Sequence, residues 1–196
     1  MSMNKSKAVV FSWLKQIILI ILLTLFISIF IIQTYDISDV SMEPTFDQQG
    51  NRVLVFLTPY HFGIKPGYGE IVIIDSRVDR KRILWDRLIE SPLVALLVRE
   101  RNVHMWVKRV IGLPGDILEY KDGRVYRNGQ ELTEPYIMDE MKTAFETAVI
   151  PEGFIYVMGD NRNRSSDSRI IGPVPISNIQ GRVILRFYPF NKMSAY

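Results

Sequence analysis

Two residues of this 196-residue chain have types and settings that fit covalent hydrolysis: Ser41, in Val40-Ser41-Met42-Glu43-Pro44-Thr45, and Lys108, in Trp106-Val107-Lys108-Arg109-Val110-Ile111-Gly112-Leu113-Pro114-Gly115-Asp116. A serine hydroxyl attacks a carbonyl only when a base removes its proton. Histidine is the usual base, yet His61 lies in the turn-like Thr58-Pro59-Tyr60-His61-Phe62-Gly63 and His104 borders a highly charged stretch, neither in a recognisable hydrolase motif. No His-x-x-x-His or Glu-flanked pair is present to hold a metal, and the lack of cysteine removes thiol catalysis and cysteine-ligated metal. Lysine can replace histidine where burial disfavours its charged form and draws its pKa toward working pH. On a strand, Lys108 shares a face with Trp106 and Val110 while Arg109 points the other way. From that segment alone Lys108 is either a desolvated base or a lysine on an exposed edge.

The elements that must position this pair begin with an unbroken apolar run, Ile17 to Ile32, ending shortly before Ser41. A helix from Trp13 to Tyr35 would be about 34 Å long, against a hydrocarbon core of about 30 Å. Thr24 and Ser28 can bond to backbone carbonyls within it, and Trp13 and Tyr35 fall where aromatic residues favour the interface. Lys5, Lys7 and Lys15 precede or enter the span without any acid, whereas Asp36, Asp39, Glu43 and Asp47 follow it before Arg52. That asymmetry predicts residues 1–12 in the cytoplasm, 13–35 as a single-pass anchor in the cell membrane and 36–196 outside. The alternative is a cleaved secretory peptide, but the run is long for one and Ser28 to Tyr35 offers no small-x-small cleavage site. Every acid lies at Asp36 or later, so the three N-terminal lysines account for the whole net charge of +3 and the exported part is neutral. With no basic stripe interleaved with aromatics, nucleic acid is not an expected partner. An exported domain without cysteine must be held by packing alone.

Residues 36–196 suffice for one domain, and most of its elements read as strands. Arg52 to Leu57, Glu70 to Asp75, Trp106 to Ile111, Phe154 to Met158 and Arg182 to Tyr188 are short runs rich in Val, Ile, Phe and Tyr between turn signals. Lys121-Asp122-Gly123 separates Ile117-Leu118-Glu119-Tyr120 from Arg124-Val125-Tyr126, and Asn128-Gly129 follows, giving two tight turns of a meander. The expected fold is mostly β: an N-terminal transmembrane helix, then an antiparallel, β-barrel-like domain with a helical insertion at 79–104. Within that insertion Ile83, Leu84, Leu88, Val94, Ala95, Leu97 and Val98 recur at helical spacing, broken by Ser91-Pro92. It reads either as a solvated helical hairpin packed on the domain or as an interfacial element whose Trp85, Leu88 and Leu96 enter lipid.

A third segment joins the pair: Gly159-Asp160-Asn161-Arg162-Asn163-Arg164-Ser165-Ser166-Asp167-Ser168-Arg169, a polar loop directly after an apolar strand. Alone it would be a surface loop with internal ion pairs. Together the three segments resemble type I signal peptidases, the membrane-bound Ser/Lys proteases that remove signal peptides. Those proteins carry Ser-Met-x-Pro-Thr, Lys-Arg-Val-Ile-Gly-x-Pro-Gly-Asp and Gly-Asp-Asn-x-x-x-Ser-x-Asp-Ser-Arg, matched here in order by Ser41 to Thr45, Lys108 to Asp116 and Gly159 to Arg169. Gly69-Glu70-Ile71-Val72 resembles the intervening strand motif with Glu in place of its usual Asp. The resemblance covers the anchor and nearly all of the domain except the insertion.

The resemblance implies Ser41 as nucleophile, Lys108 as general base and later acid, and the Ser41 backbone N–H as an oxyanion donor. It implies that Ser165 hydrogen-bonds the lysine, and that Asp160 with Arg109, and Asp167 with Arg169, hold the loop against the strand. Ile37, Met42, Phe46, Trp106 and Val107 match the walls of pockets for a substrate with small residues at alternate positions. The implied partners are signal peptides of preproteins, the bilayer and, by proximity, the secretion translocon; no cofactor or metal is needed. One departure is Asp39, where the family usually has Gly or Ser; a carboxylate there would oppose an oxyanion and favour the Lys108 ammonium. Two other readings compete: a membrane-anchored accessory that binds preproteins without cutting, and a self-cleaving repressor using the same Ser/Lys device, which would need a DNA-binding segment where the apolar span stands.

Overall fold

The computed structural model describes residues 2–47, 50–57, 60, 63–80, 83, 85–86 and 104–196. Helix α1 runs Ser2–Phe30, and its part Val9–Phe30 has a mean hydropathy of 2.3, long and apolar enough to cross a membrane. Inside it the Thr24 hydroxyl donates to the Ile20 carbonyl (2.8 Å) and the Ser28 hydroxyl to that of Thr24 (2.5 Å), so neither leaves a polar group facing outward. The helix stops five residues short of Tyr35. From Ile32 the sequence turns from continuous apolar to alternating, and strand β1 (Ile32–Ile37) buries Gln33 and Ile37 while Thr34 and Asp36 face solvent. Its backbone groups pair with β2 (Asn51–Phe56), Ile32 opposite Phe56 and Ile37 opposite Asn51, and Tyr35 therefore lies on a strand and not at a helix end.

The remaining strands are β3 (Ile71–Asp75), β4 (Met105–Gly112), β5 (Ile117–Lys121), β6 (Arg124–Arg127), β7 (Gln130–Glu131), β8 (Ala148–Val149), β9 (Phe154–Met158), β10 (Val174–Pro175), β11 (Ile179–Tyr188) and β12 (Ser194–Ala195). One antiparallel sheet has the order β1-β2-β11-β3-β4-β9-β10, with β12 added to β11; a smaller one has β7-β6-β5-β8. The expected barrel is not closed among the described residues: β1 and β10 end the large sheet as separate edges. β10 is only two residues long and includes Pro175, which lacks the N–H a further partner would need. Of the expected insertion at 79–104, residues 87–103 and several before them lie outside the described residues; Ile83 and Trp85 are described and exposed.

Central strand β3 is buried on both faces, which explains its unbroken Ile-Val-Ile-Ile run. Ile71 and Ile73 pack with Ile37, Met42, Phe46, Val53, Val55, Leu57 and Val183, whereas Val72 and Ile74 pack with Val110, Ile155, Val157, Val174 and Ile179. A third cluster, including Ile111, Leu118, Val125, Ile150 and Met158, joins the small sheet to the ends of β4 and β9. The two hairpin turns of the small sheet are Asp122-Gly123 (φ 48° and 82°) and Asn128-Gly129 (φ 54° and 78°). Positive φ at both central positions suits a type I′ turn, whose twist matches the flanking strands.

Candidate active site

Strand β1 passes through Ser38 and Asp39 into a single 3-10 turn, Val40–Met42, so Ser41 stands on a turn pinned by the fully buried Met42. The Phe46 N–H donates back to the Met42 carbonyl (2.8 Å) and fixes the chain beyond the turn. Lys108 comes from the middle of β4, opposite Val72 of β3, and is 2% exposed. Its Nζ donates to Ser41 Oγ at 2.8 Å and lies 5.6 Å from the centre of the Trp106 ring. Burial pushes this ammonium down from 10.5 to about 8; the carboxylates of Asp167, Asp39 and Asp160 favour the charge, and Arg169 works with burial against it.

The loop after β9 closes over the pair. Asp160 accepts two hydrogen bonds from Arg109, from Nε (2.8 Å) and Nη2 (2.7 Å), while Arg109 Nη1 donates to the Gly69 carbonyl (2.8 Å). This buried pair ties the loop to β4. Asp167 and Arg169 also make two bonds, both 2.8 Å, but within the loop; the loop is held to the end of β9 by the Gly159 N–H donating to Asp167 (3.0 Å). Burial pushes the Asp167 carboxyl upward, but Arg169 and the Gly159 N–H outweigh it and hold the group below the usual carboxylate range. A Cβ at Gly159 would collide with the Ser41 carbonyl and the Ser165 hydroxyl, so only glycine lets loop and turn approach this closely.

Ser165 is thus beside the pair, but the hydrogen bond to Lys108 that the resemblance implied is absent. Acceptors of its own loop draw its hydroxyl instead, the Ser166 carbonyl at 3.5 Å and the Asp167 carboxylate. The five candidate pocket residues do not form one wall. Ile37, Met42 and Phe46 sit in one core cluster with Val107 packed on it, and Trp106 packs on the other, because adjacent strand residues face opposite ways. Met42 and Phe46 expose no surface, and Phe46 meets Tyr196 edge-on at 5.3 Å. Asp39 is exposed at the start of the turn and makes no capping bond with its side chain. His104 is exposed just before β4, and His61 lies outside the described residues.

Two residues given no task from sequence connect the parts. The Thr45 hydroxyl donates to Asp160 (2.5 Å), and the Asn161 N–H donates to the Ser41 carbonyl (3.0 Å). Thr45 closes the Ser41 motif and Asn161 belongs to the loop motif, so their membership in those motifs was the available signal. The whole is a hydroxyl in contact with an amine whose pKa burial lowers, both buried, with ion pairs steadying the loop beside them. Such an arrangement can transfer a proton from serine to lysine and expose an alkoxide to an acyl substrate.

The sequence model of the signal peptidase family, peptidase S26, matches residues 10–188. A signal peptidase I of Bacillus licheniformis is 36% identical over 203 residues, covering 98% of this chain and 95% of that protein. A probable signal peptidase I-1 of Synechocystis is 34% identical over 173 residues, covering 88% and 79%. The crystal structure of a signal peptidase I from Enterococcus faecalis is 29% identical with a TM-score of 0.44, covering 60% of this chain and 96% of that one. Since the family match runs from inside α1 to the end of β11, taking in every segment around Ser41 and Lys108, this chain belongs to the peptidase S26 family of serine-type signal peptidases.

Proposed function

We propose that this chain is a membrane-anchored endopeptidase that cuts signal peptides from exported preproteins with a Ser41/Lys108 dyad. The observation that carries the reading is the 2.8 Å contact between Lys108 Nζ and Ser41 Oγ in a buried setting. With its pKa at about 8, about one Lys108 in ten is neutral at pH 7, against about one in three thousand at 10.5. The neutral amine accepts the Ser41 proton as Oγ attacks the scissile carbonyl, then returns it to the leaving amine. The Ser41 N–H, early in its turn where intrahelical acceptors are lacking, faces the developing oxyanion. Asp160, Arg109, Asp167 and Arg169 hold the loop that carries Ser165.

Helix α1 anchors residues 36–196 on the outer side of the membrane, with the lysine-bearing end in the cytoplasm and the translocon nearby. The extended cleavage region of the substrate docks beside β1 and the start of β4, its small side chains toward the face that Ile37 and Val107 share, with Met42 and Phe46 as the packed layer behind and Trp106 on the opposite face of β4. The test uses detergent-solubilised full-length protein and a preprotein bearing Ala-x-Ala. Cleavage is lost in Ser41→Ala and in Lys108→Ala, and kcat/KM rises with pH through a midpoint at about 8. Cleavage surviving without Lys108, or a midpoint near the ordinary histidine value of about 6.5, overturns the dyad. A protein that binds preproteins without cutting would be indifferent to both substitutions.

A further inference from the structure

The segment between β7 and β8, residues 132–147, leaves the small sheet and reaches the loop that covers Ser41. Glu134 and Arg162 form an ion pair through two hydrogen bonds, from Arg162 Nη1 (2.8 Å) and Nη2 (2.5 Å). Their side chains are only 4% and 1% exposed, so this is a fully enclosed bridge between the two sheets' territories. Arg162 Nε also donates to the Gly159 carbonyl (3.1 Å), and Gly159 is the residue pressed against the Ser41 carbonyl. Tyr136, two residues along, donates to Glu134 (2.8 Å) and lays its ring 4.0 Å from the Arg109 guanidinium, the partner of Asp160. Asn163 adds two bonds, accepting from the Lys142 N–H (2.8 Å) and donating to the Glu140 carbonyl (3.0 Å). The segment itself is rooted in the small sheet's core, where Leu132, Tyr136 and Phe145 pack.

From these contacts we infer that the segment 132–147 is a clamp on the catalytic loop, and that Glu134 and Arg162 are positioning residues that keep Gly159 to Ser165 pressed over the Ser41/Lys108 pair. The inference rests on the dyad reading. The loop is held by Arg109 of β4 through Asp160 and by Glu134 through Arg162, so its position over Lys108 is set from both sheets. A planar, bidentate pair is the suitable device, because it fixes orientation as well as distance. If the clamp loosens, water reaches Lys108, its ammonium is stabilised, and the base becomes scarcer at neutral pH.

A purely architectural ion pair would affect stability without touching the protonation of Lys108, and that difference supplies the test. In detergent-solubilised full-length protein, kcat, KM and the pH dependence of kcat/KM are measured for wild type, Glu134→Gln and Arg162→Lys, each of which retains one polar contact and so favours folding. Asp75→Asn serves as control, since Asp75 is buried, pairs with Arg77 and lies off the loop. The expected result is a fall in kcat of about tenfold or more in both clamp variants, KM within about twofold, and a pH midpoint raised by about one unit. The control lowers Tm and leaves the midpoint unmoved. Clamp variants that lose thermal stability but keep the wild-type kcat and midpoint overturn the inference. Failure of the dyad itself is visible separately, as a wild-type profile without a midpoint at about 8 or activity surviving Lys108→Ala.

Discussion

Lys108→Met should make this protein more stable at neutral pH while abolishing its activity. Lys108 is 2% exposed and its ammonium is held at about 8 in place of 10.5, so burial of the charge costs about 3 kcal/mol at pH 7. Methionine fills a similar volume without charge and recovers that cost, less about 1 kcal/mol for the lost bond to Ser41, leaving about 2 kcal/mol. For a chain of this size that is a rise in Tm of about 5 °C. The sign of the pH dependence follows from proton counts. Below about pH 8 both folded and unfolded states carry the proton, and the folded state bears the full penalty. Between 8 and 10.5 the folded state has released it and the unfolded state has not, so wild-type stability climbs with pH and the advantage of methionine shrinks. Above 10.5 the advantage is gone and the missing hydrogen bond leaves the variant slightly weaker. Thermal unfolding in detergent, followed by near-ultraviolet circular dichroism across that range, reads the difference directly. A Tm difference that stays constant from pH 7 to above 10.5, or a variant less stable at pH 7, would show that the charge is not penalised and would remove the source of the base.

Two further outcomes follow from charges around the pair. Asp39→Gly removes a carboxylate that favours the Lys108 ammonium, so turnover at neutral pH rises severalfold and the midpoint of kcat/KM moves below that of wild type; equal or lower turnover in the purified assay refutes the electrostatic penalty. Arg169→Gln strips the buried Asp167 of its partner, so the bare carboxylate raises the Lys108 pKa: activity at neutral pH falls and returns in part at higher pH, and a loss equal at every pH would assign Arg169 a packing role only.

Much of the site could be read along the chain because its parts are contiguous motifs. Ser41 stands on a turn, Lys108 on an apolar strand and Asp160 to Asp167 in a loop that leads into the single helical turn Ser168–Ile171, each carrying its local conformation in its own residues. The strand runs and the two glycine turns were equally plain, since period-2 patterning and positive φ are local properties. What misled was continuity of hydrophobicity: Ile31 and Ile32 extend the apolar run past Phe30, yet the next five residues alternate, and pairing with β2 prevails over helix propensity. Barrel closure depends on which edges meet, and Val174-Pro175 is too short and too poor in donors to announce a partner. The Ser165 hydroxyl and the Glu134–Arg162 bridge were hidden for a related reason. A hydrogen bond chosen among several nearby acceptors, or an ion pair between segments 28 residues apart, exists only once the chain is folded.

The ion pairs around Lys108 resolve an apparent contradiction in the design of this site. Two buried carboxylates, Asp160 and Asp167, both favour the ammonium, and unpaired they would cancel much of what desolvation achieves. Each is instead bound through both oxygens to an arginine, so that most of its field is neutralised before it reaches the amine. The Arg109 bonds also tie the loop to β4, while those of Arg169 stiffen the loop itself. Paired carboxylates therefore supply rigid, charge-assisted anchoring at little electrostatic cost to the base, which apolar residues could not match in orientation. Asp39 is exposed and makes no capping bond with its side chain, so of the three acids acting on Lys108 it is the one whose removal should help rather than harm.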